Sequence, residues 1–167
     1  MSVIRPCRDD EQAAVHSIIN SAALAYKGVI PADCWHEPYM TMQAFQGEIL
    51  AGVAFWGYES AGTLVGVMGI QPVSDVDLIR HAYVLPGAQR HGVGAALIDH
   101  LRALSGRRML VGTWSDAAWA IRFYRRYGFE LVSTERKTEL LKTYWTISDR
   151  QLEASVVLAN PPLTRSP

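Results

Sequence analysis

Val84-Leu85-Pro86-Gly87-Ala88-Gln89-Arg90-His91-Gly92-Val93-Gly94-Ala95 is the stretch that decides how this chain folds. Its first residues close a β-branched, apolar run that Pro86 stops, and from there Val93, Ala96, Leu97, His100, Leu101 and Leu104 fall on one helical face. The segment is a strand, a loop and the start of a helix. The first N–H groups of a helix have no partner inside it and sit at the positive end of its dipole, so a glycine-bearing loop there can seat a diphosphate. Gly92 and Gly94 permit close approach, Arg90 and His91 add positive charge, and no acidic residue occupies the first turn. The spacing is neither a Walker loop, which ends in Gly-Lys-Ser/Thr, nor a dinucleotide fingerprint, which follows the first strand of its unit. The plain alternative is a glycine turn that merely starts a helix.

Outward from this point the chain alternates between strand and helix patterns. Upstream, Val53 to Glu59, Thr63 to Gln71 and Val76 to Leu85 read as three strands, separated by turns at Ser60-Ala61-Gly62 and Pro72 to Asp75. Before this meander, Ser2 to Cys7 reads as an edge strand. Asp9 or Asp10 then caps a helix in which Val15, Ile18, Ile19, Ala22 and Ala23 share a face, ending near Lys27-Gly28. Val29 to Met40 is irregular, and a second helix runs from Thr41 to about Ala51. Downstream, Gly106 stands where a glycine cap would end the Val93 helix, and Met109 to Trp114 is a strand. Ser115 or Asp116 caps a helix with Ala117, Ala120, Ile121 and Tyr124 on one face and Gly128 at its end. Phe129 to Ser133 reads as a strand, Thr134 to Tyr144 as a charged helix and Ala154 to Ala159 as a last strand. The class is α/β with mixed antiparallel and parallel pairing. A chain of 167 residues is the size of one domain, expected over residues 1–160, with a short tail over residues 161–167.

Composition narrows the partners. Sixteen basic residues balance sixteen acidic ones, so no global field draws nucleic acid or an anionic membrane surface. No apolar run reaches the roughly 20 residues of a membrane span, and the N-terminus lacks the apolar core of a signal peptide, so a cytoplasmic location is the expectation. Cys7 and Cys34 are too few for a disulfide framework and have no metal-ligand spacing around them.

The loop-helix start, together with Val84-Leu85-Pro86 before it and Leu97 after it, resembles the cofactor signature of the GNAT superfamily of acetyl-CoA-dependent N-acetyltransferases. Ala120-Ile121-Arg122-Phe123-Tyr124-Arg125-Arg126-Tyr127-Gly128-Phe129 is similar to that family's second conserved block, at the distance expected. The resemblance extends from near Ile4 to about Leu158 and implies a mostly antiparallel sheet, splayed between its fourth and fifth strands and flanked by helices. It implies acetyl-CoA as cosubstrate, with no metal, and an amine as acceptor. Ala82, Tyr83 and Val84 would then face the pantetheine arm, Gln89, Arg90, His91, Gly92, Val93, Gly94 and Ala95 would hold the pyrophosphate, and Tyr124 would protonate the departing thiolate. A phenol is a reasonable donor to a thiolate, whose conjugate acid has a pKa of roughly 8.5; the bland role for Tyr124 is a core aromatic.

Departures from the pattern bear on mechanism. Many relatives carry a glutamate base on the fourth or fifth strand, where this chain has Leu78 and Gly112, and an asparagine where it has Ala117. His81 is the nearest proton acceptor, and strand alternation places His81 and Tyr83 opposite Arg80 and Ala82, with either face open to the substrate. A packed histidine, with water or an already neutral acceptor removing the need for a base, is the competing reading. Tyr26, Trp35 and Tyr39, with Glu37, fall in the region that shapes the acceptor site in relatives; they either face a flat or cationic acceptor or anchor the loop. A small-molecule amine is the first expectation, and a protein N-terminus or lysine the second. A non-catalytic acyl-CoA-binding module is the alternative class, and a homodimer through the last strand or the Thr134 helix is a further expectation.

Overall fold

In the computed structural model, which describes residues 1–163, the chain forms in order β1 (Ser2–Pro6), α1 (Gln12–Ala23), α2 (Met42–Leu50), β2 (Ala54–Ser60), β3 (Thr63–Val73), β4 (Val76–Val84), α3 (Val93–Leu104), β5 (Arg108–Trp114), α4 (Ala118–Arg126), β6 (Glu130–Leu131), α5 (Thr134–Tyr144), α6 (Asp149–Glu153) and β7 (Ser155–Asn160). The strands make one sheet in the order β1-β2-β3-β4-β5-β7-β6. All neighbours are antiparallel except β4 and β5. This is the mixed α/β sheet expected. The last residues of the expected tail, 164–167, lie outside the described residues.

Alternation along the strands sends side chains into two layers. Met68, Ile79, Met109 and Val111 face α3 and α4, packing with Val93, Leu97, Leu101 and Ala120. Their neighbours point the other way. Val67 meets Val15, Ile18 and Ile19 of α1 and Phe45 of α2, whereas Leu78 and Leu110 meet Leu140 and Leu141 of α5. The five residues that define the apolar face of α1 are all buried, as its spacing requires. Gly66 brings α3 onto β3: a Cβ there would lie 2.6 Å from Val93 Cγ1.

Several boundaries differ from the sequence reading. β3 continues through Pro72 to Val73, because the ladder with β2 starts only at Ala54↔Ile70, so Pro72 lies past β2 and its missing N–H breaks no bond on that side. The turn is just Ser74-Asp75, with Ser74 at φ +50°. α3 is capped by Ser105 in an extended conformation, not by Gly106, and the Ser105 hydroxyl donates to buried Asp77 at 2.6 Å. Ala117 precedes α4 with no side-chain cap, so neither Ser115 nor Asp116 performs that role. For α1, a single 3-10 turn over Asp9–Glu11 intervenes, and the N-cap is Glu11. Of the strand expected over Phe129 to Ser133, only Glu130–Leu131 pairs, while Phe129 is fully buried beneath it. Helix α6 was not expected; a capping box joins Ser148 and Gln151 at its start.

Two irregularities position everything that follows. The parallel ladder of β4 and β5 runs from Val76↔Arg108 to Ile79↔Val111 and stops, although both strands continue, so their ends part. On the other edge of β4, Val67↔Tyr83 is followed by Gly69↔Arg80, so Met68 alone opposes His81 and Ala82. This is a β-bulge, with His81 at φ +53°. Gly69 makes room for it, since a Cβ there would stand 2.8 Å from the Arg80 carbonyl oxygen and 2.7 Å from Val53 Cγ1. Gly69→Ala is therefore expected to destabilise the fold by about 1–3 kcal/mol, the usual cost of overpacking. Urea unfolding would report this as a lower midpoint; an unchanged midpoint would show that the bulge yields freely.

Candidate active site

The loop before α3 has the conformation an anion seat needs. Arg90 and Gly92 both lie in the left-handed region, at φ +66° and +77°, a kind of backbone in which successive N–H groups converge. The first helical bond runs from the Ala96 N–H to the Gly92 carbonyl at 3.0 Å, which leaves the N–H groups of Val93, Gly94 and Ala95 outside the helical ladder. Gly92 caps the helix with no side chain in the way, and the first turn holds no acid. Arg90 and His91 are exposed beside it. Gln89 turns back instead, its amide donating to the Val84 carbonyl at 3.2 Å. Gly94 lets α4 close on this turn, because a Cβ there would sit 3.3 Å from the Phe123 ring.

Where β4 and β5 part, a cleft of about 180 Å³ opens, with Ala82, Tyr83, Thr113, Tyr26, Tyr39 and Tyr124 among its walls. Tyr124 is 7% exposed. Burial, reinforced by Tyr26, raises its phenol well above the ordinary value, so it is protonated at neutral pH. Burial likewise pushes Tyr26 up to about 12, and Tyr83 is raised by burial and by Tyr39. The ring centroids of Tyr26 and Tyr39 each lie 6.2 Å from that of Tyr83, edge to face. The structure thus brings Tyr26, Tyr39, His81, Ala82, Tyr83 and Tyr124 to one cleft. Trp35 stands outside its lining, 5.9 Å from Tyr39 and donating to Glu37 at 3.1 Å. Glu37 is committed elsewhere too, pairing with Lys27 at 2.7 Å, which lowers its pKa first among several causes.

His81 does not follow simple alternation. The bulge turns it to the same side as Arg80, and both meet one oxygen of Glu48 on α2, at 3.0 and 2.9 Å. Its ring stacks on Phe55 at 6.1 Å. Burial lowers the His81 pKa, and the hydrogen bond to Glu48 opposes this in part. That same bond holds the Glu48 carboxyl below the usual range. Arg80 is held further by Gln71, which accepts from it at 2.8 Å. The positions where relatives carry glutamate are filled by packing: Leu78 is fully buried against α5, and a Cβ at Gly112 would meet the Trp145 ring at 3.5 Å.

The sequence reading missed Glu48, Trp119, Trp145 and Gln151. Glu48 is half a turn from the end of an ordinary amphipathic helix, and only the bulge makes it a partner of the cleft wall. Trp145 and Gln151 belong to the chain after α5, where no periodic pattern flags them. Among the described residues no group of three His, Cys, Asp or Glu is arranged to hold a metal ion. Among the same residues no helix is long and apolar enough to cross a membrane.

A splayed mixed sheet with an anion seat at the helix following its fourth strand defines a class of acyl-CoA-dependent acyltransferases, and comparison with known proteins agrees. Residues 51–131, which hold the meander, the seat and the Tyr124 helix, match the family model described as an acetyltransferase (GNAT) domain. The PaiA N-acetyltransferase of Thermoplasma acidophilum, solved with coenzyme A, superposes with a TM-score of 0.71 at 14% identity, over 95% of this chain and 98% of that one. A ribosomal-protein alanine N-acetyltransferase of Escherichia coli gives 0.67 at 17% identity, over 95% and 92%. The protein yncA of Salmonella typhimurium, solved with its cofactor acetyl-CoA, gives 0.57 at 23% identity, over 79% and 81%. Residues 51–131 thus match a GNAT acetyltransferase domain, and the chain as a whole shares the fold of these N-acetyltransferases.

Glu48→Gln should lower the His81 pKa further, because the one hydrogen bond that favours the imidazolium loses its charge while burial stays. Imidazole titration by NMR would show it; a rise would mean that burial is not what holds His81 neutral.

Proposed function

We propose that the chain is a single N-acetyltransferase domain that moves the acetyl group of acetyl-CoA to a primary amine of a small molecule, by direct attack within a ternary complex. The amine nitrogen attacks the thioester carbonyl carbon, the C–S bond breaks as the tetrahedral adduct collapses, and Tyr124 gives its proton to the departing sulfur. The single observation that carries this is Tyr124 itself, buried in the wall of the cleft where β4 and β5 part and kept protonated by its surroundings. A buried phenolate is costly, so the proton that leaves the nitrogen must restore the phenol within the same turnover. Main chain at Ala82, Tyr83 and Val84, past the end of the β5 ladder, would meet the pantetheine arm, and the N–H groups from Arg90 to Ala95 the diphosphate, with the Arg90 guanidinium beside them.

A small acceptor is favoured because the two segments that wall the cleft are joined to each other. Arg150 of α6 donates to Asp33 at 2.8 Å, tying α6 to the segment before α2 and narrowing access for a folded protein surface. Among the described residues the cleft wall carries no carboxylate base, and its histidine, His81, is engaged by Glu48, so the amine either enters neutral or releases its proton to water. The same lack supports a second reading, a module that binds acyl-CoA without turnover. Release of CoA across an amine panel separates the two: turnover above background is expected, and acetyl-CoA binding without acceptor-dependent release would favour the module.

Tyr124→Phe should lower kcat by about 10²-fold, the lower range for a lost general acid, while acetyl-CoA affinity by calorimetry stays within about twofold. Unchanged kcat would remove Tyr124 from the chemistry. Arg90→Glu should weaken acetyl-CoA binding by about tenfold or more, since one charge-assisted contact to phosphate is replaced by repulsion; an unaltered Kd would place the diphosphate elsewhere.

A further inference from the structure

The walls of the cleft are aromatic on almost every side and poor in charge. Tyr26, Tyr39, Tyr83, Trp114, Tyr124 and Trp145 all line it. Among the described residues of the lining there is no aspartate or glutamate, and the permanent positive charge, Arg80, is already matched by Glu48, which lies outside the lining. Several polar side chains present are engaged within the protein: Gln151 accepts from the Ser148 N–H, Ser155 donates to the Gln151 carbonyl, and the His81 ring hydrogen-bonds Glu48. The carboxylate nearest in sequence to Tyr39, Glu37, is paired with Lys27.

Such a wall offers ring faces and edges, phenol hydroxyls and the His81 ring, but no carboxylate among its described residues. One amine can be drawn by those faces and lose its proton on entry, but a second ammonium would be stripped of water with no carboxylate to replace it. The aromatic lining also continues past the cleft. Trp119, on the first turn of α4, is 40% exposed and packs at 5.0 Å against Tyr26 with its ring tilted, and Leu24, two residues before Tyr26, is 58% exposed. Tyr26 thus belongs to the wall on one side and touches an exposed apolar rim on the other.

We propose that the acceptor is a monoamine carried on an aromatic or apolar body, without a second cationic group, and that Trp119 is a specificity-determining residue that holds this body at the rim. The proposal rests on the acetyl transfer described above and names its substrate class.

Three acceptors of equal reach test it with the full chain and acetyl-CoA: a phenylalkyl monoamine, an alkyl monoamine and an α,ω-diamine, each followed by CoA release. The phenylalkyl monoamine should exceed the diamine in kcat/KM by about tenfold or more, the cost expected of an unpaired charge in the cleft. A diamine that is equal or better overturns the substrate class. Trp119→Ala should raise KM for the phenylalkyl amine about fivefold while kcat and the acetyl-CoA Kd hold, and Trp119→Phe should restore most of it, since the contact is one of area and ring face. An unmoved KM, or loss that Phe does not rescue, removes Trp119 from recognition. If acetyl-CoA binds but no amine on the panel turns over, or if acetyl-CoA does not bind, acetyl transfer itself fails and this inference with it, whereas turnover with the wrong preference overturns the inference alone.

Discussion

The early end of the β4–β5 ladder is the constraint on which the rest of the molecule depends. Parallel strands joined through a helix must lie side by side at their starts, and here they do so for four residue pairs. Beyond Ile79↔Val111 each strand takes another partner: β4 remains on β3 through its bulge, and β5 remains on β7 to Trp114↔Ser155. Two antiparallel ladders therefore pull the strand ends apart, and the gap between them exposes main chain that a sheet would normally hide. Backbone polarity at depth is costly unless something pairs with it. A ligand with its own amides meets that requirement, as a pantetheine arm would.

The bulge does a second task with one extra residue. By placing His81 and Arg80 on the same side, it gives Glu48 of α2 two donors and fastens that helix to the strand which forms the cleft wall. The cost is a non-glycine residue in the left-handed region and a glycine, Gly69, required opposite. His81, a candidate base by its chemistry, lines the cleft while its ring stacks on Phe55 and hydrogen-bonds Glu48.

Much of this architecture was legible in the residues. Helices α1 and α3 announce themselves through apolar spacing, because each lays one stripe on the sheet, and the anion seat is readable because it depends on local features: two glycines, an arginine and a first turn free of acids. The glutamate-free positions were likewise visible, although that Leu78 packs under α5 while Gly112 lies against Trp145 required the fold. Features set by register between strands were not legible. The side on which His81 lies depends on one residue inserted against Met68, which no period-2 pattern encodes. Helix α6 has five residues, too few for periodicity, and Ser105 outcompetes Gly106 as the end of α3 because Asp77, 28 positions earlier, needs its hydroxyl. The aromatic wall gathers residues from five separate segments, so Tyr26, Tyr39, Tyr83 and Tyr124 stood out singly, while Trp114 and Trp145 did not.

The two margins of the sheet carry a consequence of their own. One is β1, five residues long and closed by Pro6; the other is β6, which has two. An unpaired strand border is a template for stray chains, and its hazard grows with length and flatness. Here one border ends in a residue with no N–H to offer, and the other is too brief to hold a foreign strand. The sheet can thus keep its interior pried open for a ligand without presenting, at its limits, a surface on which copies would stack into fibres.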